Sequence, residues 1–104
     1  MVIKSIGRWE FDRLLPLHTL LETSIGKEVE WFSDAVENTI GTIAFSPGES
    51  GWNYAVLRRD WAGNFQVCDL RANLCSLDAV RIDFRLAMAA AERNEHSIFH
   101  GSSE

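Results

Sequence analysis

Apolar positions recur at two periods along this chain, and each change of period marks a change of element. Leu14, Leu17, His18, Leu21 and Ile25 fall three and four residues apart, the spacing of one helical face. Asp12 is placed to cap that helix, Pro16 lies just inside its first turn, and Gly26 supplies a left-handed stop, so a helix is predicted from Asp12 to about Ile25. Residues 1–11 carry Val2, Ile3, Ile6, Trp9 and Phe11 without a clear period, which fits either a short strand or an irregular apolar lead-in, with Gly7 weakening any regular element there.

From Lys27 the period drops to two. Glu28 to Ser33 alternates and is rich in strand formers, Asp34 to Asn38 reads as a turn, and Thr39 to Phe45 is a second strand. Ser46 to Gly51 is a loop. Trp52 to Arg59 and Asn64 to Leu70 flank Asp60-Trp61-Ala62-Gly63, which fits a type I turn followed by a left-handed glycine, a common hairpin closure. Ser76 then caps a helix running to about Arg93, with Asp78 in its first turn and a stripe of Leu77, Val80, Phe84, Met88 and Ala91. Ile82, Leu86, Ala89 and Ala90 widen its apolar surface.

Strands joined by short turns pair antiparallel, because a parallel pair needs a crossover of roughly a dozen residues or more. The expectation is an α+β domain over residues 1–93: a four-stranded antiparallel meander with one helix before it and one after it (α-β-β-β-β-α), followed by a polar tail over 94–104 anchored only by Ile98-Phe99. Side chains alternate across a strand. Trp52, Tyr54 and Val56 share one face, Ala55 and Leu57 the other, and the neighbouring strands are apolar on both faces as well. Two helices packed mainly on one face leave the second face bare, and bare apolar surface of that extent marks an interface; the alternative is that the helices sit on opposite faces or that the sheet curls around itself. The bare face leads to a protein partner or a homodimer.

Composition agrees with a packed core: 46% of residues are hydrophobic, among them four Trp and six Phe. The net charge of −5 is unevenly spread, −4 over residues 1–50 (four basic, eight acidic) and −1 over 51–104 (six basic, seven acidic). An acidic chain repels phosphate backbones at long range, so nucleic acid is a poor partner. No run approaches the 18 apolar residues of a membrane span, and the opening residues Met1 to Arg8 hold no export signal. With only Cys68 and Cys75 available, a cytoplasmic protein with free thiols is expected.

Candidate chemistry is sparse. Cys68, Cys75, His96 and His100 are the element types of a zinc site, but six residues separate the cysteines where structural sites favour two to four. Cys75 has no histidine brought to it by pattern, with His18 far off in sequence. Glu28 and Glu30 fall on one face of an edge strand and read as solvated acids that discourage aggregation. Phosphate loops and serine-hydrolase elbows are absent. Arg81 and Arg85, four apart on the last helix, read as a solvated, partly paired face. No metal, cofactor or catalytic residue is expected.

What remains is the hairpin. Trp, Tyr and Arg dominate protein interfaces, and Trp52, Tyr54, Arg58 and Trp61 are the interaction candidates. The expected function is a small non-enzymatic module that binds protein or itself through the second sheet face and the 52–70 hairpin. The alternative is a nucleic-acid-binding regulator using the same aromatics with Arg58, Arg59 and Arg71, and the third is an enzyme whose active site leaves no motif.

Overall fold

Five strands, not four, form the sheet. The computed structural model describes residues 2–16, 25–47 and 51–93. The elements are β1 (Ile3–Ile6), α1 (Arg8–Leu14), β2 (Lys27–Asp34), β3 (Thr39–Ser46), β4 (Gly51–Arg59), β5 (Phe65–Leu74) and α2 (Leu77–Arg93). The strands lie in chain order, and every neighbouring pair is antiparallel. The α+β meander is therefore as the pattern predicts, with β1 added at the β2 edge.

The N-terminal helix differs from expectation. It starts at Arg8, four residues before Asp12, with Gly7 at the N-cap, whose amide donates to Glu10 Oε1 at 3.1 Å. A carboxylate in the first turn thus satisfies an amide at the helix entry. The helix ends at Leu14, so Pro16 follows it rather than sitting inside it. Proline cannot continue a helix, which accounts for a stop here. The rest of the predicted stripe, Leu17, His18 and Leu21, lies outside the described residues, as does the tail 94–104. Gly26 has the positive φ of +97° expected of a stop, and a Cβ there would meet Phe45 O at 2.6 Å.

The helices do not share a face. α2 covers one side of the sheet: Val80, Phe84, Ala87, Met88 and Ala91 pack on Ile43, Tyr54 and Val56. On the other side Phe11 of α1 joins Ile25, Ile40, Ala44, Ala55 and Leu57, with Leu14, Trp31 and Phe65 around them. A sheet apolar on both faces needs a cover on each, and among the described residues α2 covers one face while Phe11 of α1 and Ile25 cover the other. The bare second face inferred from sequence is largely enclosed, and this overturns the premise on which its availability rested. Among the described residues its β5 margin stays open, with α1 packed against β2.

Two polar residues pin the layers. Asn53, fully buried, donates through Nδ2 to Ile25 O and accepts the Asn73 amide at 3.1 Å. Arg58, also buried, donates to Thr39 Oγ1 at 3.3 Å and to Ala91 O at 3.0 Å, so a strand guanidinium caps the last turn of α2. At the start of α2, Ser76 Oγ accepts the Ala79 amide at 3.1 Å, the cap read from sequence.

Candidate functional site

The hairpin is rigidly closed. Asp60 N donates to Asn64 O at 2.7 Å, Gly63 N donates to Asp60 O at 3.0 Å, and Gly63 has φ +88°. Asp60 Oδ1 accepts from the amides of Ala62 and Asn64, both at 2.9 Å, while Oδ2 takes the Gln66 side chain at 3.3 Å. The Asn64 amide, followed by the Gln66, Ala62 and Gly63 contacts, holds the Asp60 carboxyl below its ordinary range. Trp61 rides on this turn with its side chain 90% exposed. An indole on a braced turn is presented at little further ordering cost.

The four interaction candidates are not equivalent. Trp61 is open to solvent, and Trp52 is half-buried against Phe45 with ring centroids 4.8 Å apart. Tyr54 and Arg58 are buried beneath α2, so neither offers a surface. Tyr54 Oη donates to Asp69 Oδ2 at 3.0 Å. Burial first, then that bond and the nearby carboxylate charge, raise the phenol to about 12. Side-chain type alone does not separate buried from exposed here. The register does, since 54, 56 and 58 share the face that α2 covers.

The arginines considered for nucleic acid are engaged within the chain. Arg58 binds Ala91 O. Arg59 donates to Glu37 O at 3.0 Å and to Gly63 O at 3.1 Å, and stacks 4.3 Å over Phe65. Arg71 pairs with Asp83 on α2 at 3.1 Å.

β5 adds residues beyond the four interaction candidates. Its register slips twice against β4, with Asn53 alone facing Ala72 and Asn73 and one residue of β5 extra at Cys68. The second slip puts Val67 and Leu70, three apart in sequence, opposite Leu57 and Ala55 on the same face. They are 49% and 43% exposed, with half-buried Phe65 beside them in the row. The bulges also break the free edge, which discourages another strand from adding there and leaves side chains as the means of contact. A second apolar pair, Ile82 and Leu86, stands outward on α2 at 62% and 64% exposure.

Glu28 and Glu30 do not share a face. The β2 register shifts between them, so Val29 bulges out, Glu28 pairs with Ala44 on the α1 side and Glu30 with Ile43 on the α2 side. Nor is β2 an edge, because β1 flanks it. Glu28 is buried and accepts from Trp31 Nε1 at 3.4 Å, while Glu30 chelates Arg81 on α2, Nε to Oε1 at 3.2 Å with Nη2 on Oε2.

Cys68 and Cys75 are free thiols. Desolvation, then the Asp69 charge, pushes the Cys68 thiol up, away from a reactive thiolate. His18, His96 and His100 lie outside the described residues. Among the described residues no group of three or more His, Cys, Asp or Glu is placed to hold a metal ion, and no helix is long and apolar enough to cross a membrane. No family model matches the chain, and neither does any curated protein or solved structure.

Proposed function

We infer that this chain is a small non-enzymatic binding module that associates with a second copy of itself through the tip and open face of the β4–β5 hairpin. The observation that carries the reading is Trp61, a large apolar side chain at 90% exposure on a turn held by five hydrogen bonds through Asp60. Exposed Val67 and Leu70 continue the apolar row along the face of β5. The contact surface is thus narrower than a whole sheet face. It comprises Trp61, Phe65, Val67 and Leu70, whereas Trp52, Tyr54 and Arg58 lie on the α2 side of the sheet and support the hairpin from within.

Magnitudes favour a symmetric pair. Burying one indole removes about 150–250 Å² from water, roughly 4–6 kcal/mol gross. Association costs about 4–15 kcal/mol in lost freedom, so one tryptophan alone leaves little surplus. A twofold axis makes every contact twice. Two indoles with two copies of Val67 and Leu70 then support a dissociation constant of about 1–100 μM. Two free thiols suit a reducing compartment, and we place the protein in the cytoplasm on that basis.

Sedimentation velocity across that concentration range tests the reading. The parent chain should shift from monomer to dimer. Trp61→Ala and Leu70→Asp should stay monomeric while keeping the parent circular dichroism. A parent chain that sediments as a monomer at every concentration overturns the proposal.

A further inference from the structure

Independently of self-association, we propose that the cleft between α2 and the β1–β2 side of the sheet binds a small aromatic carboxylate, with the carboxylate on Arg85 and the ring on a phenylalanine floor. The cleft has a volume of about 320 Å³ and is lined by Ile3, Ser5, Glu30, Phe32, Ile43, Arg81, Phe84 and Arg85. It exists because α2 lies across β3, β4 and β5 and reaches β1 and β2 on this face only through side chains. The register directs Glu30, Phe32 and Ser5 to that same side, opposite Ile43, Gly41 and Phe32 respectively.

The chemistry of the lining selects the ligand. Its floor is aromatic, with the rings of Phe32 and Phe84 4.8 Å apart and tilted by 44°. A planar ring is the natural complement, by offset or edge contact. The rim holds two guanidinium groups one helical turn apart. Arg81 is committed to Glu30 by two hydrogen bonds, which cancels its charge locally and locks it in place. Arg85 makes no ion pair among the described residues, so the rim carries one unmatched positive charge in a chain whose net charge is −5. Its fork accepts a carboxylate through two parallel hydrogen bonds. The Ser5 hydroxyl on the opposite wall adds a donor. The volume stands at the lower end of the roughly 300–1,000 Å³ seen for ligand pockets, which limits the guest to a small molecule. A dicarboxylate is disfavoured, because its second charge would meet Glu30.

Benzoate is the probe, with benzamide as its neutral isostere, in a ¹⁵N-correlation NMR titration of the full chain. Expected are saturable shifts at Ser5, Phe32, Arg81 and Arg85 with a dissociation constant of about 1 mM, the range a fragment of this size reaches. Benzamide should bind at least tenfold more weakly. Arg85→Gln should lose the preference for benzoate, Arg85→Lys should keep part of it, and both should retain the parent spectrum elsewhere. Because Arg85 is exposed, these variants leave the core intact. No saturable shift up to about ten times that concentration, equal binding of benzamide, or an Arg85→Gln chain that binds benzoate as the parent does would each overturn the assignment.

Discussion

Gly41 lies under the ring of Phe84: a Cβ at position 41 would stand 2.4 Å from Cε1 and 2.6 Å from Cζ. The missing side chain on β3 is what lets the α2 aromatic settle on the sheet between Phe32 and Tyr54, whose rings lie 4.8 and 5.9 Å from it. Gly41→Ala should therefore destabilise the chain by about 1–3 kcal/mol through overpacking. Phe84→Leu should partly relieve it, giving a double variant that costs less than the sum of the singles. Relief stays incomplete because Ala55 O is also only 3.1 Å from that Cβ. Urea unfolding of the three variants checks the coupling.

Arg58 joins the strand layer to the end of α2. Arg58→Met keeps the apolar stem and removes the donors, leaving Ala91 O and Thr39 Oγ1 without them. A loss of about 2–3 kcal/mol is expected, the range for bonds made by a charged group. Arg58→Lys should recover little of it, since an ammonium lacks the planar fork. Amide exchange should speed most in the last turn of α2.

Tyr54 is the only tyrosine, so phenolate absorbance reports on it alone. Its midpoint should lie near 12 in the folded chain and near the ordinary 10.0 in denaturant. Asp69→Asn should lower the folded midpoint without restoring 10.0, because burial is the largest cause. The folded pKa is the higher of the two. This contribution to stability is therefore complete below pH 10 and disappears as pH rises from 10 towards 12. Thermal melts over that window give the same sign by a second route.

Asp60 titrates in the opposite sense. Its carboxyl is held low by the turn amides, so its contribution is present above the ordinary carboxylate pKa and is lost as pH falls through the depressed folded value. Asp60→Asn keeps an acceptor oxygen without the charge. The variant should melt below the parent at neutral pH and converge with it in acid, as melting temperatures against pH will show.

The order of elements from Lys27 to Arg93 was legible because the strands are rich in strand formers, the turns carry their own turn residues, and Ser76 announces α2; the bulges were not, and β5 runs on to Leu74 where the pattern ends at Leu70. β1 was not legible either. Its four residues place Ile3 and Ile6 on opposite faces, a span too short to display a period. The placement of the helices was hidden for another reason. Apolar residues on both faces of β3 and β4 read equally as one bare face or as two covers, and only the docking of Phe11 and Ile25 decides it. Of the candidate contacts, Trp61 could be read from its place at a turn, whereas Tyr54 and Arg58 differ from it only through burial. The cleft left no local trace. Glu30 and Arg81 stand 51 residues apart, and the bulge at Val29 that sends Glu28 to the other side follows from no residue pattern.

Being covered from above and below gives β3 an unusual evolutionary constraint. Thr39 through Ala44 are six consecutive buried positions, odd and even alike, so a saturation-mutagenesis map should render them as one unbroken intolerant block. β5, solvent-facing along most of its length, should tolerate exchange at most sites. The free half of the hairpin is thus at liberty to diversify its binding chemistry while its other half holds the architecture constant.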